Sequence, residues 1–178
     1  CNVSLERSLV SASIRNQKGL DVSFMTSPLS LGLEIDRIEG DDVLILYDQL
    51  GTTVWENDYL DFARRLVEKL KKARIITSIK PGKMPVLFAP AGTLALLVPL
   101  SQGLNGKEVY KGTSPMAGKI GEKLFDEKVT FIDDGTIDGK FASASFDDEG
   151  VPRRRNPLIE KGVLKSFIYD LRTAGQSG

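Results

Sequence analysis

Leu158-Ile159-Glu160-Lys161-Gly162-Val163-Leu164 sets two short apolar arms on either side of a charged, glycine-containing connection, the pattern of a tight β-hairpin. Phe167-Ile168-Tyr169 is expected to extend the second arm. Upstream, Val129-Thr130-Phe131-Ile132 and Phe141 to Phe146 also read as strands, which makes the C-terminal part sheet-rich. Val10 to Ile14 alternates apolar with small polar residues. Asn16-Gln17-Lys18-Gly19 then supplies turn chemistry before Leu20, Val22 and Phe24 resume a period of two, so a second hairpin is expected near the N-terminus. Leu29, Leu31, Leu33 and Ile35 share one face of a strand. Asp36 to Asp42 reads as a charged break before the strand Val43 to Tyr47.

Between these sheet-forming parts lie the helices. Asn57 or Asp58 is suited to cap a helix in which Leu60, Ala63, Val67 and Leu70 recur at helical spacing, joined by Phe62 and Leu66. Its cations gather toward the C-terminal end, where the helix dipole favours them. Lys80-Pro81-Gly82-Lys83-Met84-Pro85 holds two prolines and a glycine in six residues and marks a domain boundary. Leu94 to Leu104 is expected to be a largely buried helix, kinked or ended early by Pro99, which lacks a backbone donor and clashes with the preceding turn. A short helix fits Ser114 to Leu124, against the propensity of its glycines. The fold class expected is α+β, with antiparallel and mixed sheets, a few packed helices and two sheet-rich parts, divided into residues 1–79 and 80–178.

Composition bounds the function. With 178 residues, 41% hydrophobic and 27% charged, the chain can bury a core. Its 24 cations and 24 anions cancel, which argues against direct nucleic-acid contact. The single cysteine, Cys1, excludes an internal disulfide and fits a reducing cytoplasm. The longest apolar run, Leu94 to Leu100, falls far short of the ~20 residues that a membrane helix requires, so no membrane association is expected. The chain opens on Cys1 and stops shortly after a strongly patterned segment, so a piece of a longer protein is expected.

Several blocks in order resemble the TldD/PmbA (TldD/TldE) family, historically labelled modulators of DNA gyrase. They are Pro85-Val86-Leu87-Phe88-Ala89-Pro90, Gly112-Thr113-Ser114, Lys119-Ile120-Gly121-Glu122, Ile132-Asp133-Asp134-Gly135, Phe146-Asp147-Asp148-Glu149-Gly150, the hairpin quoted first, and Tyr169 to Ala174. The resemblance implies that residues 1–79 are the middle-type α+β domain of the family and that residues 80–178 begin a truncated C-terminal domain. It also implies a cytoplasmic two-subunit assembly that degrades or matures peptides. In such assemblies the TldD-type subunit resembles a zinc peptidase, with HExxxH on the helix preceding the Gly-Thr-Ser block and a further ligand later in the chain. Counting back from that block, the histidine positions fall on Leu97 and Gln102 and the glutamate position on Val98. Leucine and valine offer no ligand or base, and a lone glutamine amide is a poor zinc ligand. With no histidine anywhere and one cysteine, an N/S-ligated catalytic zinc cannot be built from these residues alone. The sequence therefore resembles the PmbA/TldE-type member. No cofactor is expected in this chain, and zinc only in a TldD-like partner.

Three charged clusters remain. Asp133 and Asp134, with Asp138, lie in one glycine-containing turn, and Asp147, Asp148 and Glu149 in another. They suit acid/base work or a divalent cation, or they bond their own backbone at strand ends; their spacing does not follow the calcium-loop pattern. Arg153, Arg154 and Arg155 suit a phosphate or the carboxylate of a peptide terminus, or a solvated loop paired with the neighbouring acids. Trp55 is read as a core or edge-packing residue, or as an interface anchor. Exposed sheet edges could add an extended peptide through main-chain hydrogen bonds. The functional expectation is a non-catalytic PmbA/TldE-like subunit, paired with a TldD-like subunit or with itself, that helps hold unfolded peptide. The alternatives are a protein-binding regulator of DNA gyrase or a toxin–antitoxin system, and an autonomous hydrolase built on the acidic turns.

Overall fold

The computed structural model describes residues 1–55 and 59–177. The expected helix cap, Asn57 or Asp58, lies outside the described residues. The fold is α+β and divides into two compact units, one comprising residues 1–82 with 137–144, the other residues 83–136 with 145–178. Among the described residues all ladders between strands are antiparallel, and a parallel pairing occurs as an isolated bridge between Asn105 and Ile168.

In the first unit, β1 (Asn2–Arg7), β4 (Leu29–Glu39) and β5 (Asp42–Thr52) form a sheet in the order β1-β4-β5. β4 and β5 stay in register from Leu29 opposite Thr52 to Glu39 opposite Asp42. The charged break expected over Asp36 to Asp42 therefore shrinks to Gly40-Asp41. Arg37 reaches across the hairpin to Asp42, 2.6 Å from Nη2 to Oδ2, so these charges line paired strands where a loop was expected. Period-two alternation directs Leu31, Leu33 and Ile35 of β4, with Leu46 and Leu50 of β5, toward α1 (Tyr59–Lys72). The helix answers with Phe62, Ala63 and Leu66. Leu60 and Val67, expected on this stripe, are exposed, because the buried stripe is rotated by one residue onto Phe62 and Leu66. Lys69 bonds Asp48 at 3.0 Å beside that seam. β2 (Val10–Arg15) and β3 (Asp21–Thr26) form a separate hairpin, its turn organised by Asn16 Oδ1, which accepts from the N–H groups of Lys18 and Leu20.

Phe141 to Phe146 is not a strand. Residues 137–144 fold into turns against the end of β5: Thr53 N–H donates to the Gly139 carbonyl at 2.9 Å, and the Phe141 side chain occupies the space a Cβ on Gly51 would need. The bonds of this segment are spent on local turns and on an isolated bridge between Thr52 and Lys140, which leaves no ladder. Trp55 is exposed and packs on Tyr59, ring centroids 4.5 Å apart, an edge contact of this unit.

The second unit holds the sheet β6 (Phe131–Asp134), β7 (Arg155–Glu160) and β8 (Val163–Leu164), with α2 (Leu94–Gly103), α3 (Gly106–Tyr110) and α4 (Leu171–Ser177). The quoted hairpin is β7–β8. Its core joins Leu158, Ile159 and Leu164 to Leu104 and Phe167. β6 begins two residues later than expected because Asp126 Oδ1 accepts from Lys128 N–H and draws residues 126–129 into a turn. Phe167 to Tyr169 does not extend β8. Lys165 N–H turns back to the Leu158 carbonyl, and Ile168 instead bridges Asn105.

The expected helix over Ser114 to Leu124 is absent; Gly112, Gly118 and Gly121, at φ of 71°, 76° and 89°, turn that segment repeatedly. A helical turn forms earlier, at α3, where Asn105 Oδ1 accepts from Lys107 N–H. α2 runs on past Pro99 to Gly103 and does not end early. Nor is it largely buried: Leu94, Leu96 and Val98 are 62%, 52% and 59% exposed. The helix is apolar on all sides, so the face that meets the core through Leu100, followed by Leu104, leaves the opposite one in solvent.

Candidate functional site

The charged motifs converge in the second unit. Asp147 opens a tight turn in which its Oδ1 accepts from Glu149 N–H at 2.9 Å and Val151 N–H at 3.0 Å. That turn delivers Glu149 to the start of α4, where Oε2 accepts from Leu171 N–H. Asp170 is the residue before α4, and its Oδ1 accepts from both the backbone and the hydroxyl of Thr173. Those two bonds, the hydroxyl one first, hold the Asp170 carboxyl below its usual range. Asp147, Glu149 and Asp170 thus each spend oxygens on backbone N–H groups, the bonding that short acidic side chains favour at turns and caps.

Between the acidic turn, the start of β7 and the chain leading into α4 lies a cleft of about 360 Å³, lined by Asp147, Glu149, Arg154, Asn156, Tyr169 and Asp170 among others. A smaller cleft of about 180 Å³ shares Asp147, Arg154, Asn156 and Tyr169 and adds Asp133 and Arg153. Arg154 Nε donates to Asn156 Oδ1 at 2.9 Å, and Asn156 Nδ2 lies 3.4 Å from Asp133 Oδ2.

The other charged candidates stand apart from these clefts. Asp134 accepts from the Thr136 hydroxyl and N–H, which lower its carboxyl, and Arg155 lies 3.9 Å away as a further, weaker influence in the same direction. Asp148 is exposed and lines neither cleft. Asp138 belongs to the first unit. Asn156, Tyr169 and Asp170 were not singled out as site residues from sequence. For Asp170 a signal existed: Asp is among the residue types favoured immediately before a helix.

On α2, Leu97 is half-buried, Val98 exposed and Gln102 exposed. Gln102 borders a recess of about 350 Å³ with Ser101, Asn105, Ile168 and Asp170. The donor chemistry of these positions does not fit a catalytic zinc: two side chains have no lone pair and the third is a neutral amide. Among the described residues, no group of three His, Cys, Asp or Glu side chains is placed to hold a metal ion. No helix among them is long and apolar enough to cross a membrane.

The second unit carries the sequence signature of a metallopeptidase-related domain. The sequence model of the PmbA/TldA metallopeptidase C-terminal domain matches residues 81–178, and the chain belongs to the TldD/PmbA family. A metalloprotease TldD homolog of Buchnera aphidicola is 41% identical over 54% of this chain and 20% of its own length. TldE from Thermococcus kodakarensis superposes with a TM-score of 0.83 at 30% identity, covering 97% of this chain and 39% of that one. A Thermotoga maritima protein described as a candidate modulator of a DNA gyrase superposes at 0.88 with 26% identity, covering 99% of this chain and 41% of that one. The chain therefore spans well under half the length of these relatives.

Proposed function

We propose that this chain contributes the PmbA/TldE-type, non-catalytic part of a cytoplasmic TldD/TldE-type zinc metallopeptidase assembly that degrades and matures peptides. The observation that carries the proposal is the chemistry of α2: Leu97, Val98 and Gln102 stand where the family resemblance places two histidines and a glutamate, and they supply neither a competent zinc-ligand pair nor a group that moves a proton. Family membership supports the peptidase context, and the likeness to the Thermococcus TldE supports the subunit type. In this reading zinc resides in a TldD-like partner, and this subunit closes the chamber and helps hold unfolded peptide.

The test is reconstitution. The protein is purified alone and after co-expression with a TldD-like protein of the same organism, and zinc content and cleavage of an unfolded peptide are measured. Zinc and chelator-sensitive cleavage are expected only in the complex. Cleavage by the pure protein, abolished by a chelator, would overturn the proposal. Recovery of gyrase subunits from lysate without any TldD-like protein would favour the gyrase-regulator reading instead.

A further inference from the structure

We propose that the cleft beside Arg154 binds a short, free peptide by its C-terminal carboxylate. Arg154 lines both adjoining clefts. Its Nε is committed to Asn156 Oδ1, which fixes the guanidinium plane, and among the described residues no ion pair uses its two Nη nitrogens. Arg155, by contrast, lies toward Asp134, and the stem of Arg153 lies against Gly135. A planar guanidinium with two parallel donors unclaimed matches the geometry of a carboxylate.

The remaining walls narrow the ligand class. Asp147 and Asp133 face the same smaller cleft as Arg154, and Asp147 spends Oδ1 on backbone N–H groups while no described donor claims Oδ2. Carboxylates so close to the arginine disfavour a phosphate, which carries more than one negative charge. They favour a ligand with a positive charge near its carboxylate, as a short peptide with a free N-terminus has. Val151, Ile168 and Tyr169, common to both clefts, give apolar surface for a side chain. This inference does not depend on the partner-subunit reading, because the binding belongs to this chain alone.

The test is an NMR titration of the isotopically labelled protein with trialanine, its C-terminal amide and its N-acetyl form, with inorganic phosphate as a fourth probe. Because Arg154 is exposed, weak binding is expected, with Kd about 1 mM. The shifts should cluster at Asp147, Arg154, Asn156 and Tyr169. Amidation, and the substitution Arg154→Gln, should each weaken binding about tenfold or more, and N-acetylation should weaken it as well. Arg154→Lys, which keeps the charge and loses the fork, should fall between. Retained dispersion of the variant spectra establishes that they fold. Equal affinity for the amide, unchanged binding by Arg154→Gln, tighter binding of phosphate than of trialanine, or no shift at about 10 mM peptide would each overturn the proposal.

Discussion

The backbone N–H of Leu171 donates to Oε2 of Glu149 at 2.9 Å, so a turn residue 22 positions upstream caps the first residue of the last helix. The acidic block is thereby a clamp: Asp147 shapes the turn and Glu149 fastens it to α4. Glu149→Ala removes the acceptor and should destabilise α4 by about 1 kcal/mol, while Glu149→Gln retains an oxygen and should cost less. Hydrogen exchange at residues 171–177 reads this directly: faster exchange in the alanine variant, confined to α4, is expected. Unchanged exchange would mean the bond does not hold the helix.

Gly162 carries the β7–β8 turn. Its φ is 78°, and a Cβ there would stand 2.3 Å from the Phe125 carbonyl oxygen. Around it, Gly162 N–H donates to the Val129 carbonyl while its own carbonyl accepts from Leu124 and Phe125. Gly162→Ala combines an unfavourable backbone region with a collision against backbone, and should cost about 3 kcal/mol or more. The denaturant midpoint should fall with the slope unchanged. Gly40, at φ 62° with nothing within 4 Å of a built Cβ, supplies the control, and Gly40→Ala should cost about 1 kcal/mol.

Each unit has its own core, which separate truncations can address. Leu66 is fully buried against Leu33 and Phe62, and Leu158, 1% exposed, lies among Leu104, Ile159 and Leu164. Leu66→Ala and Leu158→Ala should each cost about 2–5 kcal/mol. Native-state hydrogen exchange should show the first loss in residues 1–82 and 137–144 and the second in residues 83–136 and 145–177.

Acid should loosen the Asp134 and Asp170 turns before it loosens the apolar cores. Both carboxyls are held below their ordinary value, first by the hydroxyl of Thr136 or Thr173 and then by its backbone N–H. A carboxylate whose folded value is depressed contributes stability that is complete above the unfolded value of about 3.9 and is lost as pH falls through the lower folded value. Thr173→Val removes the hydroxyl donor, so carbon-13 titration of Asp170 should show its midpoint rising toward the ordinary value. A midpoint unmoved by that substitution would contradict the assignment.

Short-range chemistry was what the sequence made legible. The β7–β8 and β2–β3 hairpins follow from apolar arms around Gly162 and around Asn16 to Gly19, where alternation and turn residues agree. The misreadings arose where distant partners decide. Phe141 has the composition of a strand residue, yet it packs over Gly51, about ninety positions away in sequence, and no local signal announces that. Leu60 and Val67 fit a helical stripe as well as Phe62 and Leu66 do, and only the sheet beneath selects between them. At the candidate site, the acidic turns and Arg154 were visible as residue types. Their convergence with Asn156, Tyr169 and Asp170 depends on how β7 and α4 come together.

Chelation separates a chain that lacks metal ligands from one that hides them. If Leu97, Val98 and Gln102 hold no ion, and no trio of ligating side chains exists among the described residues, removing divalent metals has nothing to withdraw. The purified protein should then melt at the same temperature before and after dialysis against EDTA. Elemental analysis of the dialysed and zinc-resupplied protein should find well under one zinc per chain. A bound structural zinc would behave otherwise, since its binding energy is folding energy and its loss lowers stability by several kcal/mol or more. The variant Leu97→His, Val98→Glu, Gln102→His sharpens the comparison by placing the family's pattern on α2, whose exposed Val98 and Gln102 leave room for new side chains. Two imidazoles fall short of the three protein ligands of a catalytic zinc, so zinc should stabilise that variant weakly and the parent not at all. A parent protein that loses stability on chelation would show that an ion is gripped elsewhere and would remove the basis for calling this chain non-catalytic.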